Sequence, residues 1–208
     1  MSVERLVLGE LGTNCFLVGD GAGGPLVVID PAGGAPDLLE AIDGRPVAVV
    51  VLTHSHFDHL GAAEAVCSST GAPLAIHAED APYVTDAGGT GALLFGFAHT
   101  APAPQRLLDD GDAIEAGKLL LRVLHTPGHT SGGICLLAQG ESRLFSGDTL
   151  FAGSVGRTDF PRGDSRALAR SITERLAPLP DETVVHPGHG PDTTIGRERL
   201  VNPFFPRA

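Results

Sequence analysis

The stretch VLTHSHFDHLG, residues 51–61, places three histidines and one aspartate within six positions, directly after the apolar run VAVVVL. Protonated histidines this close together repel one another, and neutral ones buried without partners leave polar groups unsatisfied. A bound cation removes both costs, because imidazole nitrogen and carboxylate oxygen are common metal ligands. The stretch therefore predicts a metal site at the end of a buried strand.

Geometry divides these four side chains into two pairs. His54 and His56 are two residues apart in an extended segment, so they point the same way and can share one ion. Asp58 and His59 are adjacent where the chain turns towards the next predicted helix, which suits them to a second ion. Zinc-like ions take four or more ligands, so each pair needs partners from elsewhere in the chain.

Three further candidates lie in Gly-containing turns after apolar runs: His129 in HTPGHTSGG, Asp148 in LFSGDTLF and His189 in VVHPGHGPDT. We assign His129 to the first pair and His189 to the second, and the two oxygens of Asp148 can bridge the ions. The predicted cofactor is two divalent metal ions, with zinc preferred and iron or manganese as alternatives. The complete predicted ligand set is His54, His56, Asp58, His59, His129, Asp148 and His189.

The remaining histidines and the cysteines have structural explanations. A lone histidine in a strand-end turn is commonly a hydrogen-bonded structural residue, which we expect of His77, His99 and His186. For His125 both interpretations stay open, because it shares a turn with His129. The three cysteines are an odd number without close spacing, so they predict core packing rather than a disulfide framework or a cysteine-built zinc site.

Composition limits the class of protein. The 208 residues fit one domain, residues 1–208, with a substantial core. The net charge of -11 disfavours binding to nucleic acid or anionic membranes, since both depend on clustered Lys and Arg. No apolar stretch approaches the ~20 residues of a membrane helix, and the start of the chain lacks a signal-peptide pattern, so we expect a cytoplasmic protein.

Strand-like runs alternate with helical ones, which indicates an α/β domain. Each His or Asp cluster falls where a strand ends, the usual place for sites in such folds. Residues 88–105 are rich in Gly and scattered apolar residues, predict no regular element, and are interpreted as a mobile flap over a cleft. Strands are predicted over VERLVLG, NCFLVGD, PLVVIDP, PVAVVVL, PLAIH, KLLLRVLHT, GGICLLAQ, RLFSGD and ETVVHPGHG, and helices over APDLLEAID, LGAAEAVCSS and SRALARSITERLA.

These motifs resemble those of the metallo-β-lactamase superfamily, which run in the same order: IDP at residues 29–31, THSHFDH, the His129 turn, the Asp148 strand end and the His189 turn. The resemblance covers nearly the whole chain and implies an αββα sandwich, in which two sheets pack face to face with helices outside. It also implies that Asp30 lies near the metals and orients a ligand. A turn residue that ends a strand is the alternative interpretation of Asp30.

Within the superfamily, the stretches GDTLFAGSVGRTDFPRGD and RERLVNPFF resemble glyoxalase II-like hydrolases and persulfide dioxygenases, both of which act on glutathione conjugates. The chain departs from glyoxalase II in three places. It has no room for the C-terminal helical region, the pattern DHAGGN reads DHLGAA, and residues 156–159 replace a Lys- and Tyr-containing segment that contacts glutathione.

The resemblance favours hydrolysis of a small thioester, such as S-lactoylglutathione, by a metal-bound hydroxide, because metal coordination lowers the pKa of bound water towards ~7. Asp58 would also orient that hydroxide, and Asp148 would hold both ions. Arg157 is the candidate for binding a substrate carboxylate, since a guanidinium can pair with it bidentately. An internal ion pair with Asp159 or Asp164 is the alternative role for Arg157.

Other functions stay open at this point. A persulfide dioxygenase would use a single iron on His54, His129 and Asp148, with Asp58 and His59 not binding. A metal-stabilised binding protein without turnover would need a closed coordination shell, which the Gly-rich surroundings disfavour. The superfamily's nucleases and β-lactamases share the ligand set. The acidic composition disfavours a nuclease, and the start of the chain disfavours a β-lactamase. The oligomeric state is not predicted.

Overall fold

Two six-stranded sheets form the centre of the computed structural model, which describes residues 1–21 and 23–206. The predicted domain end at residue 208 lies outside the described residues, and the assignment of one domain to the whole chain stays a prediction. Within the described ranges, every helix falls short of the length and apolar character that a bilayer crossing demands.

The first sheet has the strand order β1-β2-β3-β4-β5-β6. Its first three strands are antiparallel, whereas β3 to β6 run parallel. Parallel neighbours need crossover connections. Helices α1 and α2 supply the crossovers after β3 and β4, while the crossover from β5 to β6 contains residues 88–105. The elements are β1 Ser2–Leu8, β2 Thr13–Gly19, β3 Leu26–Ile29, α1 Ala35–Ile42, β4 Val47–Val51, α2 Ala63–Thr70, β5 Leu74–His77 and β6 Arg106–Leu108.

The second sheet has the order β14-β13-β10-β9-β8-β7, and a small hairpin pairs β11 with β12. Strands β10 and β13 are parallel and are connected through α3, which continues into a π-helical turn, Ile172–Leu176. The elements are β7 Ala113–Ala116, β8 Leu119–His125, β9 Ile134–Ala138, β10 Arg143–Gly147, β11 Leu150–Phe151, β12 Ser154–Val155, α3 Ser165–Ser171, β13 Val184–Pro187, β14 Thr193–Thr194 and α4 Ile195–Val201.

Side chains alternate between two apolar environments along the inner strands. In β2, Phe16 and Val18 pack against the other sheet, whereas Cys15 and Leu17 pack towards α1 and α2. A third apolar cluster joins the outer face of the second sheet to α3 and α4. Strands buried on both faces read as continuous apolar runs rather than alternating ones. This layering confirms the predicted αββα sandwich and explains the run VAVVVL.

Each predicted strand and helix overlaps an observed one, but several short elements were not predicted. Strands β6, β7 and β14 have only two to four residues and lie at or next to sheet edges, where alternation is too short to recognise. Helix α4 has seven residues and a largely polar sequence, IGRERLV. The interval 88–105 contains a single described 3-10 turn, Ala92–Phe95.

Candidate metal centre

Four strands end at one edge of the two sheets and bring the seven predicted ligands together. Their ligand atoms form three overlapping groups, each lying within 4.8 Å, and His54 and His59 each belong to two of them. The loop after β4 carries the first four side chains, and the turns after β8, β10 and β13 carry the others. The groups are His54, His56 and His129; His54, His59 and Asp148; and Asp58, His59 and His189.

Distances between the ligand atoms fit a bound cation. The Nε2 atom of His59 is 3.3 Å from Oδ1 of Asp148, and Nε2 of His129 is 3.5 Å from Oδ2 of the same carboxylate. Nε2 of His189 is 3.1 Å from Oδ2 of Asp58. Ligands about 2.1 Å from a zinc ion are about 3.4 Å apart in a tetrahedron. The two oxygens of Asp148 thus face histidines of the two predicted sites.

Several of these atoms are buried without a hydrogen-bond partner among the described residues. They are Nε2 of His54, Nε2 of His59 and Oδ1 of Asp148. In addition, Nδ1 of His56 lies 2.9 Å from Nε2 of His129, a contact between two ring nitrogens. Buried polar atoms without partners are costly, and a shared cation would satisfy all of them. The donor set therefore fits a divalent metal.

Hydrogen bonds on the far side of two rings fix which nitrogen faces the centre. Nδ1 of His129 donates to the carbonyl oxygen of Arg157 at 2.7 Å, and Nδ1 of His54 lies 3.1 Å from the hydroxyl of Thr53. A neutral imidazole that donates from Nδ1 keeps the lone pair on Nε2. Because the hydroxyl of Thr53 donates to Asp30, it accepts from His54, and both rings present Nε2 as an acceptor towards the centre, the arrangement typical of histidine ligands.

Asp30 orients a third ring. Its Oδ2 accepts from Nδ1 of His59 at 2.9 Å, and its Oδ1 accepts from the backbone N–H of Thr53 at 2.7 Å. The residue follows β3 directly and has a φ of 51°. Asp30 therefore both ends a strand and holds a candidate ligand, so the two interpretations offered by the sequence describe the same residue.

The directions of the pKa shifts match those of metal ligands for His54, His56 and Asp148, whereas His59 differs. Burial lowers the pKa of His54 well below its ordinary value and, with His129 nearby, lowers that of His56 to about 3. Burial alone would raise the pKa of Asp148, but the facing histidines, above all His59, hold it below the ordinary value. The pKa of His59 is raised, against the effect of burial, by the surrounding carboxylates. Neutral imidazoles and charged carboxylates are the forms that bind metal, so a cation bound among the same carboxylates would replace the proton of His59.

Asp80 connects the loops that carry the ligands, and the sequence interpretation missed it. It is fully buried and accepts from the backbone N–H of Ser55 and of Gly132, both at 2.8 Å. Ser55 lies between two candidate ligands, and Gly132 lies three residues after His129. The sequence marks Asp80 only as an acidic residue soon after a buried strand, and it marks Asp30 in the same way.

The backbone of Gly188 lies in close contact with two of the candidate ligands. A Cβ atom at this position would lie 2.3 Å from Oδ1 of Asp148 and 2.7 Å from the ring of His59. Real Cβ atoms do not make such contacts, so a side chain here would displace the candidate ligands. By contrast, a Cβ atom at Gly190 would have no neighbour within 4 Å among the described residues.

A pocket of about 650 Å³ opens over the centre and is walled in part by residues 88–91 and by Leu94 and Phe95. The interval 88–105 therefore borders the cleft, while its mobility stays a prediction. Arg157 lies at the pocket edge and pairs bidentately with Asp159 at 2.7 and 2.8 Å. Asp164, the other partner considered for Arg157, instead caps helix α3.

The other histidines have partners away from the centre. His77 and His125 stack with ring centroids 3.9 Å apart, and Nε2 of His125 donates to the carbonyl oxygen of Ser131. His99 pairs with Glu10 at 2.9 Å. His186 lies 3.1 Å from a carboxylate oxygen of Asp192 and the same distance from Arg143. His125 thus takes no part in the ligand groups.

The chain is similar to known proteins over nearly its whole length. The sequence profile of the metallo-beta-lactamase superfamily matches residues 8–189. The chain is 35% identical over 209 residues to hydroxyacylglutathione hydrolase GloC of Haemophilus influenzae, covering 99% of this chain and 98% of that protein.

Three solved structures are also similar over nearly the whole chain. The B3 metallo-beta-lactamase BLEG-1 has a TM-score of 0.90 at 36% identity, covering 98% of this chain and 99% of that one. TTHA1623 in a di-iron-bound form has a TM-score of 0.87 at 40% identity, covering 98% and 100%. ETHE1 from Myxococcus xanthus has a TM-score of 0.81 at 32% identity, covering 98% and 84%.

Proposed function

The chain belongs to the metallo-β-lactamase superfamily, and from that premise we propose that it is a metal-dependent hydrolase of a small thioester, with a glutathione conjugate such as S-lactoylglutathione as substrate. Water adds to the thioester carbonyl and the C–S bond breaks, giving a carboxylic acid and a thiol. The observation that carries the proposal is the convergence of seven metal-binding side chains beneath an open pocket. The similarity to a hydroxyacylglutathione hydrolase supports this reaction class.

We keep the two ligand sets that the sequence predicted, which correspond to two of the three groups. His54, His56 and His129 would hold one ion, Asp58, His59 and His189 the other, and Asp148 would serve both. When bound, divalent ions of this kind lower the pKa of water and polarise a carbonyl oxygen. Zinc is the preferred metal by ligand type, whereas the di-iron form of TTHA1623 supports iron as the alternative.

The chain's own residues would position the reactants. Asp58 borders the pocket, and its Oδ2 accepts from the hydroxyl of Thr13 at 3.2 Å, which restrains the carboxylate that would orient the attacking water. Arg157 stands at the pocket edge, where it would bind a substrate carboxylate after exchanging its partner Asp159. This exchange is feasible because both side chains are exposed, and exposed ion pairs are weak.

The test is hydrolysis of S-D-lactoylglutathione by protein reconstituted separately with zinc, iron and manganese, followed by the loss of thioester absorbance. We expect turnover that depends on metal and disappears with a chelator. Absence of turnover with every metal would contradict the proposal.

A second candidate is an iron-dependent persulfide dioxygenase acting on glutathione persulfide, and the similarity to ETHE1 favours including it. It would use His54, His129 and Asp148, and the carboxylate of Asp148 lies 3.5 Å from His129. Iron content and oxygen uptake with glutathione persulfide separate this reaction from hydrolysis. Because BLEG-1 is a metallo-β-lactamase, a chromogenic β-lactam belongs in the same substrate panel.

A further inference from the structure

The wall of the pocket above the centre is mostly apolar, although the centre itself is polar. Leu11, Leu94 and Phe95 are exposed by 48%, 68% and 45% of their surfaces, and all three line the cavity. Phe151 and Phe160 line it further in. Large apolar side chains grouped at the mouth of a cleft commonly mark a binding surface rather than a random exposure.

The aromatic side chains contact the candidate metal ligands directly. The ring of Phe160 packs edge-on against His56 with centroids 5.8 Å apart, and the ring of Phe151 packs against His189 at 6.1 Å. Phe95 reaches Phe160 at 6.1 Å. An apolar surface consequently extends from the reacting centre to the pocket mouth, and a substituent on a bound thioester would lie along it.

Both arginines that line the pocket are already engaged. Arg157 pairs with Asp159 and stacks over Phe160. Arg162 is largely buried, donates to the hydroxyl of Ser55 at 3.0 Å and to the carbonyl oxygen of Gly89 at 2.8 Å, and stacks over a tyrosine ring. A polar substituent beside Arg162 would have to displace buried contacts, whereas an apolar one would not, and the exposed Arg157 stays available to a substrate carboxylate.

Accepting the proposed thioester hydrolysis as its basis, we propose that the pocket selects a thioester bearing an apolar chain, longer than the lactoyl group, on one side of the reacting carbonyl. Residues Leu94, Phe95 and Phe160 are the selecting surface. The volume of about 650 Å³ is within the range of about 300–1,000 Å³ typical of small-molecule sites. Each methylene that the surface buries completely would raise affinity about fourfold.

The experiment measures kcat/KM on two substrate series. The acyl series is S-acetyl-, S-butanoyl- and S-hexanoylglutathione, with S-lactoylglutathione as reference. The thiol series is the thioacetates of ethanethiol and hexanethiol. We expect kcat/KM to rise at least about tenfold along one series, because four methylenes at a partly open mouth are buried incompletely. A rise in the first places the chain on the acyl side, and a rise in the second places it on the thiol side.

A matched pair of variants tests whether the pocket wall causes the preference. Leu93 and Leu94 are adjacent and similarly exposed, at 63% and 68%, but Leu94 lines the pocket and Leu93 is absent from its lining. We expect Leu94→Ser to lower the ratio of kcat/KM between the long and short substrates at least about threefold. Leu93→Ser should leave that ratio unchanged.

Binding gives a second measurement that does not require turnover. If the acyl series rises, S-hexylglutathione should bind at least about tenfold more tightly than S-methylglutathione by titration calorimetry, and Leu94→Ser should reduce the difference. Hydrolysis with flat kcat/KM in both series, or identical behaviour of the two serine variants, overturns this inference and leaves the thioesterase intact. Hydrolysis of no thioester at all overturns the proposed function itself.

Discussion

The floor and the rim of the pocket are built differently. The floor, comprising the seven candidate ligands with Asp30 and Asp80, is mostly buried, and its hydrogen bonds join separate loops. The rim, comprising Leu94, Phe95, Arg157 and Phe160, is exposed or half-buried and is held by an exposed ion pair and by contacts between aromatic rings. The floor is thus constrained by many residues at once, whereas a rim residue can change without disturbing its neighbours.

This contrast separates the chemistry from the choice of substrate. A floor held by buried carboxylates positions metal ligands accurately, as catalysis requires. An exposed apolar rim contributes contacts whose binding free energy depends on which substrate lies against it. We therefore expect floor substitutions to remove metal and activity together, and rim substitutions to alter substrate preference while metal content stays constant.

The sharpest test of the floor is Asp148→Asn, because this residue faces histidines of both proposed sites. Loss of the charge should remove metal from both sites and lower kcat/KM about a thousandfold or more, equivalent to several kcal/mol of transition-state stabilisation. Metal content by mass spectrometry and the thioester assay measure the two effects. Full metal content with full turnover would contradict the assignment of Asp148.

Gly188→Ala tests the floor without removing any ligand. The new methyl group would lie 2.3 Å from Oδ1 of Asp148, so the carboxylate must move. Overpacking of this kind costs about 1–3 kcal/mol in the free energy of unfolding, and we expect metal loss as well. Gly190→Ala is the control for the added methyl group, although its φ of 76° brings backbone strain of its own. Full metal content in Gly188→Ala would show that the close approach is unimportant.

Asp80→Asn tests a floor residue that touches no metal. The amide group of asparagine keeps one oxygen acceptor, but its NH₂ group then faces a backbone N–H donor, that of Ser55 or that of Gly132, and one hydrogen bond is lost. We expect metal affinity to fall about 10- to 100-fold, measured by competition with a chelator. Asp86→Asn is the control, since Asp86 is exposed and accepts a hydrogen bond from the backbone N–H of Gly89. A wild-type metal affinity in Asp80→Asn would show that Asp80 does not help to hold the metal ligands.

Asp159→Asn should have the smallest effect, because it changes only the rim. The substitution frees Arg157 from its bidentate partner. If Arg157 binds a substrate carboxylate, KM for S-lactoylglutathione should fall about twofold to fivefold, the range of an exposed ion pair. Metal content should not change. A KM that stays constant in Asp159→Asn and in Arg157→Ala would show that the guanidinium does not bind substrate.

The sequence predicted the floor far better than the rim. The density of HSHFDH and the strand-end positions of His129, Asp148 and His189 follow from the chemistry of the ligands, so they were recognisable from residue types alone. Asp80 was missed because one buried carboxylate that accepts backbone hydrogen bonds has no characteristic spacing. The rim depends on how residues 88–105 fold over the cleft, and that path is set by tertiary contacts such as those of Phe95 with Phe57 and Phe160.

The two halves of the fold also set an order of assembly during protein synthesis. The first sheet supplies the ligands up to His59, but the second sheet supplies His129, Asp148 and finally His189. His189 is added 131 residues after Asp58 (189 − 58), which takes roughly 7–26 s at about 5–20 residues per second. During that interval the nascent chain carries an incomplete set of ligands. The complete set of ligands therefore cannot bind metal until His189 has been synthesised.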